Sequence, residues 1–158
     1  MTHVISVPTR DQVSVNNQTI FDNLGKALGF VPNLYATLAH SETALGDYLA
    51  FQNRKLSITA KEKEVIHLVI SQTNECTYCL AAHTVVGKMN GFSDEQILEI
   101  RSGEITFNNK LNALVKFVRE ASLNRGSVSD KTREAFFAAG YTTENLIDVV
   151  LVIGAKTI

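Results

Sequence analysis

Proline and cysteine are both scarce: proline stands only at 8 and 32, cysteine only at 76 and 79. Beyond Pro32 nothing of that kind interrupts the chain, so helices can run their full length. No stretch reaches the ~18 consecutive apolar residues of a membrane-spanning helix, so no membrane span is expected. No block of like charge appears, and 15 Lys and Arg face 16 Asp and Glu for a net charge of −1. That balance makes nucleic acid or an anionic membrane surface an unexpected main partner. Met1–Pro8 lacks the charged start and apolar core of a signal peptide, so a cytoplasmic location is expected. No internal repeat and no low-complexity stretch is visible. In a reducing compartment, two cysteines three residues apart point to chemistry or metal binding rather than to a structural staple.

What is present is an ordinary globular composition: 158 residues, 45% apolar and 20% charged. A chain of this length buries roughly two-thirds of its unfolded surface in one core. One domain over residues 1–158 is therefore expected, with residues 1–13 as an extended N-terminal arm. From there the punctuation is helical. A first helix is predicted from about Asn17 to Leu28, stopped by Gly29, and a short one from Pro32 through Ala39. Ser41 is a candidate cap for the next. Thr59 and Glu62 form a capping box that opens a helix at Ala60. Its Val65, Ile66, Leu68, Val69 and Ile70 are apolar nearly all round, the mark of a central buried helix. A helix from about Cys76 to Met89 stops at Asn90-Gly91, and Ser93 with Gln96 caps a short one ending near Gly103. Further helices are predicted from Asn108 to Leu123, from Asp130 to Ala139 and from Thr143 onward. The fold class is all-α, a bundle of about eight or nine helices. The last helix is still apolar at Ile158, which implies either packing against a neighbouring subunit or a chain that continues further.

The chemistry concentrates in Glu75–His83. On a helix at about 100° per residue, Cys76, Cys79 and His83 share an arc of about 60°. Cys79 and His83 are i and i+4, so the imidazole can reach the thiol. Cys76 and Cys79 are i and i+3, a spacing that permits a disulfide across the first turn. Thiols at a helix N-terminus are more acidic, because unpaired N–H groups favour the thiolate, the reactive form. The imidazole can serve as base, and a carboxylate can orient it. Glu64 and Glu75 are the candidates. Glu64 is preferred because a carboxylate in a nearly all-apolar helix needs a reason. The dipole favours Cys76 as the more acidic thiol, whereas the spacing to His83 favours Cys79. Other readings stand beside this one: half a zinc site completed by His83 and His67, two inert buried thiols, and a core histidine unrelated to them. His67 reads as packing or as support behind the site, and Tyr78 as packing.

At these residues the sequence resembles the AhpD-like family, which includes alkylhydroperoxidases and carboxymuconolactone decarboxylases. The family pattern is a Glu, then CxxC, then a His four residues after the second Cys. In the alkylhydroperoxidase branch the Glu precedes the first Cys by twelve residues, as Glu64 precedes Cys76. Leu56–Gly91 follows the pattern throughout, and Gly29–Leu34 resembles a short motif of the peroxidase-related subgroup. The resemblance implies an all-helical protein that assembles as a homo-oligomer, trimer or hexamer, and reduces hydroperoxides through a dithiol–disulfide cycle. It implies Cys79 as the peroxidatic cysteine, Cys76 as the resolving one, His83 as proton relay and Glu64 as its partner. No metal or bound cofactor is implied; the reductant is an external dithiol, a protein or a lipoyl-type carrier. Tyr78 departs from the mycobacterial-type enzymes, which carry a His between the cysteines. The decarboxylase branch lacks the cysteine pair. A thiol–disulfide redox sensor, and a cofactor-free lyase using Glu64 and His83 as acid and base, are the alternatives.

Overall fold

The computed structural model describes residues 4–158. It is all-α: among the described residues there are nine α-helices, one 3-10 turn and no strand. The helices are α1 Val15–Leu28, α2 Asn33–Leu38, α3 Ala44–Gln52, α4 Ala60–Thr73, α5 Thr77–Met89, α6 Asp94–Ser102, α7 Asn109–Leu123, α8 Asp130–Ala138 and α9 Thr143–Thr157. No single helix is long and apolar enough to cross a membrane. The chain divides into two compact units, one ending at Arg54 and one spanning Lys55–Ile158.

The first unit holds α1 to α3 around Phe21, Ala36, Ala39 and Leu45. The segment expected as an extended arm contains a 3-10 turn at Arg10–Gln12, closed by a capping box between Thr9 and Gln12. It is tied down by Arg10, whose Nε and Nη2 donate to the two Asp22 oxygens at 2.7 and 2.8 Å. Residues 1–3 of that expected arm lie outside the described residues. The first helix begins two residues earlier than the sequence suggested, because Ser14 is its cap and accepts from the Asn17 N–H at 3.3 Å. Ser41 does not cap α3; it accepts the Ala44 N–H at 3.3 Å from outside the helix, and Thr43 at the cap position gives no side-chain bond.

The second unit is built around α4, which packs on α5, α6, α7 and α9. Its Val65, Ile66, Leu68, Val69 and Ile70 are buried, together with Ile97, Ile100, Leu114, Val115 and Val118 from its neighbours. Burying each such side chain stabilises by about 1.5–3 kcal/mol, and an Ile66→Ala change in so dense a setting costs about 2–5 kcal/mol. The capping boxes at Thr59/Glu62 and Ser93/Gln96 form as the sequence indicates. Gly87 lets α5 approach α6 closely, since a Cβ there would stand 3.2 Å from Ile97 Cδ1.

Candidate functional site

The junction between α4 and α5 is only three residues long, and backbone hydrogen bonds fix it. The Glu75 N–H donates to the Gln72 carbonyl at 3.1 Å, and the Cys76 N–H donates to the Ser71 carbonyl at 3.0 Å. This is the Schellman arrangement at a helix end, which needs a left-handed residue after the cap. That residue is usually glycine; here it is Glu75, with φ of 52°. Holding a side-chain-bearing residue there costs about 1–2 kcal/mol. The result is that Cys76 closes α4 and caps α5 at once.

Cys76 and Cys79 form a disulfide, with their Cα atoms 5.2 Å apart. Cys76 sits at the N-cap rather than inside the helix, and its sulfur accepts the Cys79 N–H at 3.3 Å. That N–H, at the helix start, is placed to stabilise negative charge on Cys76 once the disulfide is reduced. Cys79 lies in the first turn of α5, one turn before His83.

Glu64 rises from α4 into this region and is 3% exposed. Its Oε1 accepts from His83 Nδ1 at 2.7 Å, and its Oε2 accepts from His67 Nδ1 at 3.3 Å. An ionised carboxylate only accepts, so both imidazoles carry a proton on Nδ1 and present Nε2 as a base when neutral. The two rings lie 4.5 Å apart between centroids. Burial opposes the charge on Glu64, yet the hydrogen bonds from His67 and His83 outweigh it and hold the carboxyl below its usual value. Burial pushes the His67 imidazole below its usual value, against the pull of the Glu64 hydrogen bond. His67 thus stays neutral and acts as a fixed donor behind Glu64.

The structure brings Glu64 and His83 together and places the cysteine pair at the start of the helix that carries His83. Glu75, the other carboxylate considered, is exposed at the turn. Tyr78 is not packed as expected; it is 59% exposed on the outer side of α5. His67, expected as packing or as support behind the site, donates to Glu64, whereas Lys156 was not singled out in the sequence. His67 stands one helical turn after Glu64, a spacing that signals a shared face. Lys156 is half-buried near the end of α9; burial lowers its amine, and the charge of Glu64 opposes that shift. It is the one cation in the apolar run from Leu146 to Ile158, which is the signal it leaves in the sequence. One group among the described residues could hold a metal ion: Glu64, His67 and His83, whose donor atoms lie within 4.8 Å of one another.

A family model for the carboxymuconolactone decarboxylase family matches residues 38–120. The chain belongs to that family. Its fold is that of AhpD-like proteins. An AhpD-core, peroxidase-related protein from Ralstonia eutropha JMP134 superposes with a TM-score of 0.84 at 21% identity, over 99% of this chain and 87% of the other. A peroxidase-related protein from Silicibacter sp. TM1040 gives 0.81 at 19% identity, over 96% and 83%. The debrominase Bmp8, solved with 2,3,4-tribromopyrrole, gives 0.79 at 15% identity, over 99% and 86%. No curated protein matches the sequence.

Proposed function

We propose that this member of the family is a thiol-dependent peroxidase that reduces hydroperoxides through Cys79 and Cys76. One observation carries the reading. A buried carboxylate, Glu64, holds His83 at 2.7 Å, one helical turn from a cysteine pair already joined as a disulfide. A nucleophile, a base and an orienting group in that order form a general device for activating a weak acid.

In the cycle, reduced Cys79 gives its proton to His83 Nε2, and the resulting thiolate attacks the terminal peroxide oxygen. The O–O bond breaks, the alcohol leaves with a proton from the imidazolium, and Cys79 becomes a sulfenic acid. Cys76 attacks that sulfur, water leaves, and the Cys76–Cys79 disulfide forms. An external dithiol, a protein or a lipoyl-type carrier, then reduces it by exchange. The N-cap position suits Cys76 to its resolving step, because the Cys79 N–H stabilises its thiolate. His67 fixes the free oxygen of Glu64 and so holds the carboxylate in the orientation that His83 needs. No step calls for a metal or a flavin.

The test is peroxide consumption with cumene hydroperoxide and several dithiols, repeated with Cys79→Ser and with 2,3,4-tribromopyrrole as a second substrate. Turnover of peroxide that is lost in Cys79→Ser supports the reading. Disulfide formation without turnover points to a redox sensor. Activity that survives replacement of both cysteines points to acid–base chemistry by Glu64 and His83. Debromination without peroxide turnover would overturn the choice of substrate.

A further inference from the structure

We infer that a second site, separate from the cysteines, binds an amphipathic anion in the cleft between α4, α6 and α7. The cleft has a volume of about 440 Å³, and Arg101 and Arg119 both line it. Surface guanidinium groups are ordinarily matched by carboxylates, but no Asp or Glu lines this cleft. Arg119 also lines an adjoining cleft, whose carboxylates Glu104 and Glu120 have other partners. Glu104 accepts from Lys116 Nζ at 3.0 Å, and Glu120 accepts the Ser129 N–H at 2.6 Å. Two guanidiniums lining one cleft, Arg101 from α6 and Arg119 from α7, suit a carboxylate or phosphate head group.

Arg101 is held by a hydrogen bond, and Arg119 packs over the end of α6. Arg101 Nε donates to Gln72 Oε1 at 3.0 Å, which steers the rest of its guanidinium. Arg119 lies across Gly103, at the end of α6, so closely that a Cβ there would stand 2.3 Å from its Cδ. A side chain at 103 would push Arg119 aside, and the φ of +89° at this position independently favours glycine. The rest of the lining is partly apolar: buried Val69, and Leu98 and Leu123, one helical turn from Arg101 and Arg119 and 60% and 57% exposed. Two cations beside two bare leucines suit a ligand with an anionic head and a short alkyl tail. The assignment does not depend on the thiol chemistry.

The experiment is isothermal titration of the oxidised protein with octanoate, octyl phosphate, octanol and inorganic phosphate. Octanoate or octyl phosphate should bind saturably, once per chain, and the tighter of the two identifies the head group. Loss of one charge-assisted contact in Arg101→Gln or Arg119→Gln should weaken that binding about tenfold or more. Arg133→Gln, whose guanidinium pairs with Asp130 elsewhere, should leave it unchanged. Circular-dichroism melts would establish that the variants fold. Absence of saturable binding, or binding by both cleft variants as tight as that of the native protein, would overturn the site. Octanol binding as tightly as octanoate would overturn the anion, and inorganic phosphate binding as tightly would overturn the apolar lining.

Discussion

Glu64→Gln is the most informative single substitution, because it removes one charge and almost no volume. In the native protein the carboxylate accepts from two imidazoles and is nearly fully buried. Glutamine keeps one oxygen and replaces the other with an NH2 group that can only donate. Either His67 or His83 then faces a donor instead of an acceptor. The 2.7 Å bond from His83 also loses its charge assistance. A hydrogen bond to a charged group contributes about 1.5–3 kcal/mol, and each 1.4 kcal/mol is about tenfold. The variant should therefore raise the Cys79 pKa and slow its reaction by about 10- to 150-fold. The assay is stopped-flow reaction of the dithiol-reduced protein with iodoacetamide and with cumene hydroperoxide at about pH 7. Glu62→Gln is the control. Glu62 accepts the Thr59 N–H and hydroxyl in a capping box, a role glutamine also fills. Its rate should stay near native, with a small loss of stability. Equal rates for the two variants would remove Glu64 from the site and leave a Cys–His pair alone.

Three further outcomes follow from the same geometry. Elemental analysis should find no stoichiometric zinc; one zinc per chain would convert Glu64, His67 and His83 from a proton relay into a metal set. Stability should fall on acidification from about pH 7.5 to 5.5, because unfolded His67 gains a proton below its ordinary value of 6.5 while the folded imidazole stays neutral. Glu64, held below its ordinary 4.5, adds a second loss at lower pH. The melting temperature of His67→Asn should fall less over the first interval, and an equal fall would contradict the assignment. Light scattering at micromolar concentration should return an oligomer, since Val85 and Met89 on α5 and Ile147 and Val150 on α9 all face solvent. A 17.4 kDa monomer would contradict it.

The helices were legible where a side chain closes on its own backbone. Thr59 with Glu62 and Ser93 with Gln96 mark their helix starts because the capping interaction is local. The α4–α5 junction was legible only in part: Glu75 occupies a left-handed position that sequence habit assigns to glycine, so Cys76 was read as part of the helix rather than as its cap. Glu64 was found because a carboxylate among Val65, Ile66 and Leu68 is anomalous. His67 was legible as support because it stands one turn after Glu64 on the same helix; Lys156 was harder, since its relation to Glu64 depends on which face of α4 meets α9. Arg101 and Arg119 leave no signal in the sequence, because what sets them apart is the cleft they share in space.

The most direct measurement is dimedone trapping of the sulfenic acid in Cys76→Ser after one equivalent of peroxide, with the adduct located by mass spectrometry. Without the resolving thiol, the account predicts a sulfenate that persists and an adduct on Cys79. It also predicts no adduct in Cys79→Ser. An adduct on Cys76 in Cys79→Ser, with none on Cys79 in Cys76→Ser, would contradict the assignment of Cys79 as the cysteine that meets the peroxide.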